Sequence, residues 1–190
     1  MNIHLFTAFL ITLFGFNSLY AQNIDFEYER GVLLHLSGKD QHGEQMTFEP
    51  PGEKPLILIF LPKAESRSEA EFMMDRVTQF FENLNEFNQE SIKGVLVIEP
   101  VRSGPLVNRI FRSKLSNKSF PVLRDTDGII TGRVHDKPFT IMAWLVNENG
   151  EIRFRTTEPF SDSGEQRLKE NIEGISNKGN TIKMRQNGKE

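Results

Sequence analysis

LILIFLPKAESRSEAEF, residues 56–72, changes character twice within a short span. Its first part is a near-continuous apolar run rich in β-branched and aromatic residues, the pattern of a central strand buried on both faces. Pro62 has no N–H to give a sheet ladder and closes that strand. A polar loop follows, and then the period changes. Phe72, Met73, Val77, Phe80, Phe81, Leu84 and Phe87 recur at spacings of three and four, which places them on one face of a helix. Strand, loop and helix in this order open a βα unit.

The flanking sequence extends the pattern. IKGVLVIEP (92–100) reads as a second buried strand ending at Pro100. GPLVNRIFRSKL (104–115) reads as a shorter amphipathic helix with Pro105 in its first turn. Upstream, residues 26–50 carry short alternating stretches around DQHGEQ, read as a strand, a turn at His42-Gly43 and a second short strand. FPVLRDTDG (120–128) is a brief strand and turn. FTIMAWLVNENGEIRFRTTEP (139–159) is the clearest hairpin, an apolar strand from Phe139 to Val146, the turn NENG, and an alternating return strand. SDSGEQRLKENIEGIS (161–176) predicts a last helix, capped by Asp162 or Ser163, with Leu168, Ile172 and Ile175 as its apolar stripe. Two βα units, a hairpin and a closing helix predict an α/β fold: a thioredoxin-like mixed β-sheet with helices on both faces.

Composition limits the partners. The chain has 190 residues, a net charge of −3 and 26% charged residues, so no basic excess points to nucleic acid. Sixteen Phe against two Tyr and one Trp predict an aromatic core. MNIHLFTAFLITLFGFNSLYA (1–21) has the form of a secretory signal peptide, an apolar segment ending at a small residue, Ala21. Its n-region has no Lys or Arg and Leu19 stands at position −3, so a retained N-terminal anchor is the alternative. The expected organisation is a leader over 1–21, one domain over 22–176 and a polar, flexible tail over 177–190. The protein is expected to be periplasmic or secreted, with no membrane span after cleavage. There is no cysteine, hence no disulfide and no lipid-attachment site.

GKDQHGEQMTF, KPLILIF, FPVLRDTDG and WLVNENGEIRF resemble corresponding segments of the peroxiredoxin and thioredoxin-like oxidoreductases, over about Gly38 to Phe154. A closer resemblance covers about Pro55 to Gln186. PFTIMAWLVNENGEIRFRTTEPFS and the late KMRQ look like an uncharacterised family of secreted bacterial domains, also found in animal extracellular sushi-repeat proteins. The matching positions are Phe139-Thr140, Gly150, Arg153 to Pro159, and Met184-Arg185. The resemblance implies a thioredoxin-like fold without a redox cysteine pair and without an established activity.

The residues argue against several chemistries. Thiol enzymes of this fold attack with a thiolate at a helix N-terminus. Laid on the thioredoxin pattern, Glu65 and Ser68 stand at the two cysteine positions. Ile141 or Met142 stands where the pattern places proline or arginine, and Pro138 lies too early. No G-x-S-x-G and no phosphate loop is present. His35, His42 and His135 lack metal-ligand spacing, so no metal and no cofactor is expected.

Ser66 to Glu69 reads S-x-x-E before an apolar-periodic run, the signature of a capping box. The competing reading is a carboxylate site built from Glu65, Glu69 and Glu71. In EIRFRTTEP, alternation places Ile152, Phe154 and Thr156 on one face, and Glu151, Arg153, Arg155 and Thr157 on the other. That strand is either an edge guarded by charge or a recognition surface of Arg153, Arg155 and Glu158 for a carboxylate or sulfate partner. The expected function is therefore a non-catalytic binding or interaction module for a protein or an anionic ligand. The alternative is a diverged enzyme, either an oxidoreductase relying on a cysteine-bearing partner or a carboxylate-based catalyst.

Overall fold

Residues 24–88, 92–99, 115–134 and 140–187 are described by a computed structural model. The expected leader, all of the expected 104–115 helix except Leu115, and Pro138 lie outside them. The apolar run forms β4 (Leu56–Leu61), buried at every position. It is the middle strand of a five-stranded sheet, where the rest are β5 (Lys93–Ile98), β6 (Val122–Arg124), β7 (Met142–Val146) and β8 (Ile152–Thr156). The spatial order is β6-β5-β4-β7-β8. β4, β5 and β6 run parallel, β7 runs antiparallel to β4, and β8 runs antiparallel to β7 and so in the direction of β4. A second, three-stranded antiparallel sheet holds β1 (Asp25–Glu29), β2 (Val32–Lys39) and β3 (Gln45–Phe48). It joins the large sheet through a bridge between Val32 and Glu151.

Alternation along β4 divides the core in two. Ile57, Ile59 and Leu61 face the helices α1 (Arg67–Asn88) and α3 (Asp162–Asn187), against Val77, Phe80, Phe81, Leu168 and Ile172. Leu56, Leu58 and Phe60 face the small sheet and the short helix α2 (Ile129–Val134), against Leu33, Leu36, Phe48, Ile130 and Val134. A mixed sheet with helices on both faces is thus present, with the small sheet completing the second face. Gly94 on β5 leaves room for Phe81 of α1, since a Cβ there would lie 2.5 Å from the Phe81 ring. Trp144 of β7 is fully buried, with the rings of Phe60 and Tyr28 each 5.1 Å away.

Several local expectations change. The single strand expected before His42 is two strands, β1 and β2, joined at Arg30 and Gly31, whose φ values are 50° and 85°. Two consecutive positive φ values suit the tight turn of a hairpin. Phe72 points to solvent at 65% exposure and Met74 takes its place in the core. FPVLRDTDG leads directly into α2, which the sequence reading omits; Asp125 accepts from the Thr131 N–H at 2.7 Å and secures that short helix. For α3, neither Asp162 nor Ser163 is the cap: Ser161 Oγ accepts from the Gly164 N–H at 3.1 Å. The helix continues past Ser176 to Asn187.

Candidate functional site

Two polar regions lie at the same end of the large sheet. One is the loop after β4, and the other follows the end of β8. Phe60, near the end of β4, pairs with Met142 at the start of β7, and the adjacent Ala143 pairs with Thr156 at the end of β8.

In the loop, Ser66 precedes the first turn of α1. Its Oγ accepts from the Glu69 N–H at 3.2 Å, and its carbonyl accepts from the Ala70 N–H at 3.1 Å. The Glu69 carboxylate turns back and accepts from the Glu65 N–H at 2.7 Å. The reciprocal contact therefore reaches one residue further than the Ser66 N–H expected of a capping box, and it sets a negative charge at the positive end of the helix dipole. Ser66 and Ser68 are in contact through their hydroxyls at 3.1 Å. Neither hydroxyl meets a histidine or lysine among the described residues that would activate it as a nucleophile. Glu69 is committed to the helix end, and Glu65 is exposed. The loop has the polar groups of a helix start and no thiol.

Ile141 and Met142 follow trans peptide bonds; the one cis bond among the described residues joins Pro50 and Pro51. No group of three or more His, Asp or Glu side chains among the described residues could hold a metal. His35 lies between Glu49 at 3.2 Å and Asp25 at 3.6 Å, His42 is exposed in its turn, and His135 lies outside the described residues.

The end of β8 is arranged differently. A β-bulge interrupts its pairing with β7: Val146 opposes Ile152, but Leu145 opposes Phe154, which leaves Arg153 as the extra residue. The expected alternation is therefore broken. Ile152 packs toward the small sheet, whereas Phe154 packs toward the helices. Arg153 forms an ion pair with Glu151 at 2.7 Å, while Arg155 opposes Trp144 and lies over its ring, 4.5 Å from the centroid. The Tyr28 ring is 5.9 Å from the same guanidinium.

An open groove of about 340 Å³ follows, bounded by Tyr28, Arg133, Arg155, Thr157, Glu158 and Arg167 with buried Met142 in its wall. The structure thus keeps Arg155 and Glu158 of the expected surface together and sets Arg153 apart. It adds Arg133, from the last turn of α2, and Arg167, from the second turn of α3. These arginines are exposed, and none forms an ion pair among the described residues. Arg167 Nε donates to the Ser163 carbonyl at 3.1 Å, and the Tyr28 hydroxyl donates to the Arg133 carbonyl at 3.3 Å. Three guanidinium groups against the single carboxylate of Glu158 make the groove cationic, and guanidinium forks suit paired carboxylate or phosphate oxygens. Arg133 and Arg167 were invisible in sequence because only tertiary folding brings α2 and α3 to β8.

No protein-family model matches the sequence, and no curated protein matches it. Solved structures do. The candidate protein disulfide isomerase of Bacteroides thetaiotaomicron superposes with a TM-score of 0.58 at 15% identity, covering 84% of this chain and 98% of that one. The candidate thiol:disulfide interchange protein DsbE of Chlorobium tepidum gives 0.59 at 12% identity, covering 79% and 99%. Peroxidoxin BcpB of Mycobacterium tuberculosis gives 0.53 at 14% identity, covering 81% and 97%. At such identities the likeness is one of fold. The chain has the thioredoxin-like fold and carries no cysteine.

Proposed function

We propose that this protein is an exported, non-catalytic thioredoxin-like module that binds a protein or anionic ligand through the groove at the end of β8. The observation that carries this reading is the convergence of Arg133, Arg155 and Arg167 from three elements, with no acidic partner among the described residues. The self-satisfied loop at the start of α1 supports it from the other side, because the place where this fold would hold a thiolate is used to cap a helix. Export rests on the signal-like segment over residues 1–21, which directs the protein to the periplasm or outside the cell. The matches at Phe139-Thr140, Arg153 to Pro159 and Met184-Arg185 support membership of the secreted family shared with sushi-repeat proteins.

Two assays test the reading. Purified protein should neither reduce insulin disulfides with dithiothreitol nor consume hydrogen peroxide above background; turnover in either assay overturns the non-catalytic claim. Titration with inorganic phosphate, citrate and an acidic peptide should reveal binding of at least one of them that weakens on Arg155→Glu. Absence of binding, or binding indifferent to Arg155, overturns the assignment of the groove.

A further inference from the structure

We infer that the occupant of the groove is an acidic segment of a partner protein, held in extended form as an added strand along the open edge of β8. This rests on the reading of the groove as an anion site and names the class of ligand.

The first argument is the edge. β8 is the last strand of the five-stranded sheet. The small sheet reaches it only at its beginning, where the Ile152 N–H donates to the Gly31 carbonyl at 2.8 Å and Val32 bridges to Glu151. Beyond Ile152, through Thr156, no described strand lies on its outer side. A strand edge presents N–H and C=O groups that an extended peptide can complete.

The second argument is charge. The residues around the groove include the end of that same edge, Arg155 to Glu158, with Arg133 and Arg167 contributed by the flanking helices. A peptide added beside β8 would turn alternate side chains, about 7 Å apart, toward the Trp144 face of the sheet, where Arg155 lies. Carboxylates at those alternate positions would meet guanidinium groups, and the intervening side chains would face the opposite way. A polymeric ligand also fits an open groove better than a small anion, because small-ligand sites normally enclose most of their ligand.

The third argument is preparation of the donors. The Trp144 ring, 4.5 Å from the Arg155 guanidinium carbon, restrains that group without using a hydrogen-bond acceptor, so its N–H donors are not consumed by the contact. Arg167 is tethered through Nε, so its terminal nitrogens remain to donate outward.

The test is calorimetric titration of the full domain with three probes. One is a ten-residue peptide, acetylated and amidated, with glutamate at alternate positions. The second is the same peptide N-methylated at every residue, which keeps the charge and removes the backbone donors of both edges of the strand. The third is citrate. The expected result is that the plain peptide binds and that Arg155→Glu weakens it at least about tenfold, the value of a charge-assisted contact. The N-methylated peptide should bind about tenfold more weakly than the plain one, and citrate more weakly still. Thermal melts of the variant establish that it is folded, and Arg167→Gln serves as a second, milder variant. If citrate binds as tightly as the peptide, or N-methylation has no effect, the strand-addition proposal is overturned while the anion groove survives. If sedimentation shows a dimer that Arg155→Glu dissociates, a second copy is the occupant and the peptide proposal is overturned. If no probe binds, the groove assignment fails with it.

Discussion

At the start of α1, each polar group contributed by Ser66 and Glu69 is turned back on the chain itself: hydroxyl to Glu69 N–H, carboxylate to Glu65 N–H. At the end of β8, Arg133, Arg155 and Arg167 face a common groove, outnumber its one carboxylate, Glu158, and form no ion pair among the described residues. Both regions sit at the same end of one sheet. Side chains already bonded to their own helix end have less to offer a ligand, whereas guanidinium groups in excess of the nearby carboxylates attract an anion. The difference supports the proposed binding role of the edge strand over one for the loop where this fold's chemistry would be expected.

Substitutions can break or sharpen that contrast. The largest effect is expected at Trp144, which is both core and platform for Arg155. Trp144→Ala should lower stability by about 3–5 kcal/mol in chemical denaturation, because a large buried ring is lost. Trp144→Phe should retain most of the stability. Next is the loop: Ser66→Ala should cost about 1 kcal/mol through loss of the cap and leave anion binding unchanged. An unchanged denaturation midpoint would refute the cap. Glu69→Gln keeps an acceptor for Glu65 N–H but loses the charge at the helix end, so a loss of about 0.3–1 kcal/mol is expected, shrinking at high salt. The smallest stability effect is expected at Arg155, where an exposed guanidinium over an aromatic ring contributes under about 1 kcal/mol. Arg155→Ala should therefore melt close to the parent while losing ligand. A large drop in its melting temperature would recast Arg155 as a structural residue.

How much of this was legible in sequence follows from the range of each signal. β4, α1 and the β7–β8 hairpin were readable because hydrophobic period is a local property and their periods are long or sharp. The β1–β2 turn was not, because Arg30 occupies a positive-φ position with no Asn or Asp to advertise it. The bulge at Arg153 was hidden for the same kind of reason: no glycine marks it, so strict alternation grouped Arg153 with Arg155. Phe72 shows the limit of helical period, since an apolar residue at the margin of the face can be exposed while Met74 enters the core. The cap at Ser66 was visible as a motif, whereas its return contact to Glu65 depends on how the loop leaves Pro62. Arg133 and Arg167 carried no signal of their own.

The most direct measurement compares the two regions within one experiment. The alternating-glutamate peptide is titrated into a loop variant, Glu65→Ala with Ser68→Ala, and into a groove variant, Arg155→Glu with Arg167→Gln. The account predicts that the loop variant binds within about twofold of the parent and the groove variant at least about tenfold more weakly, as removal of charge-assisted contacts requires. Loss of binding in the loop variant with retention in the groove variant would contradict it.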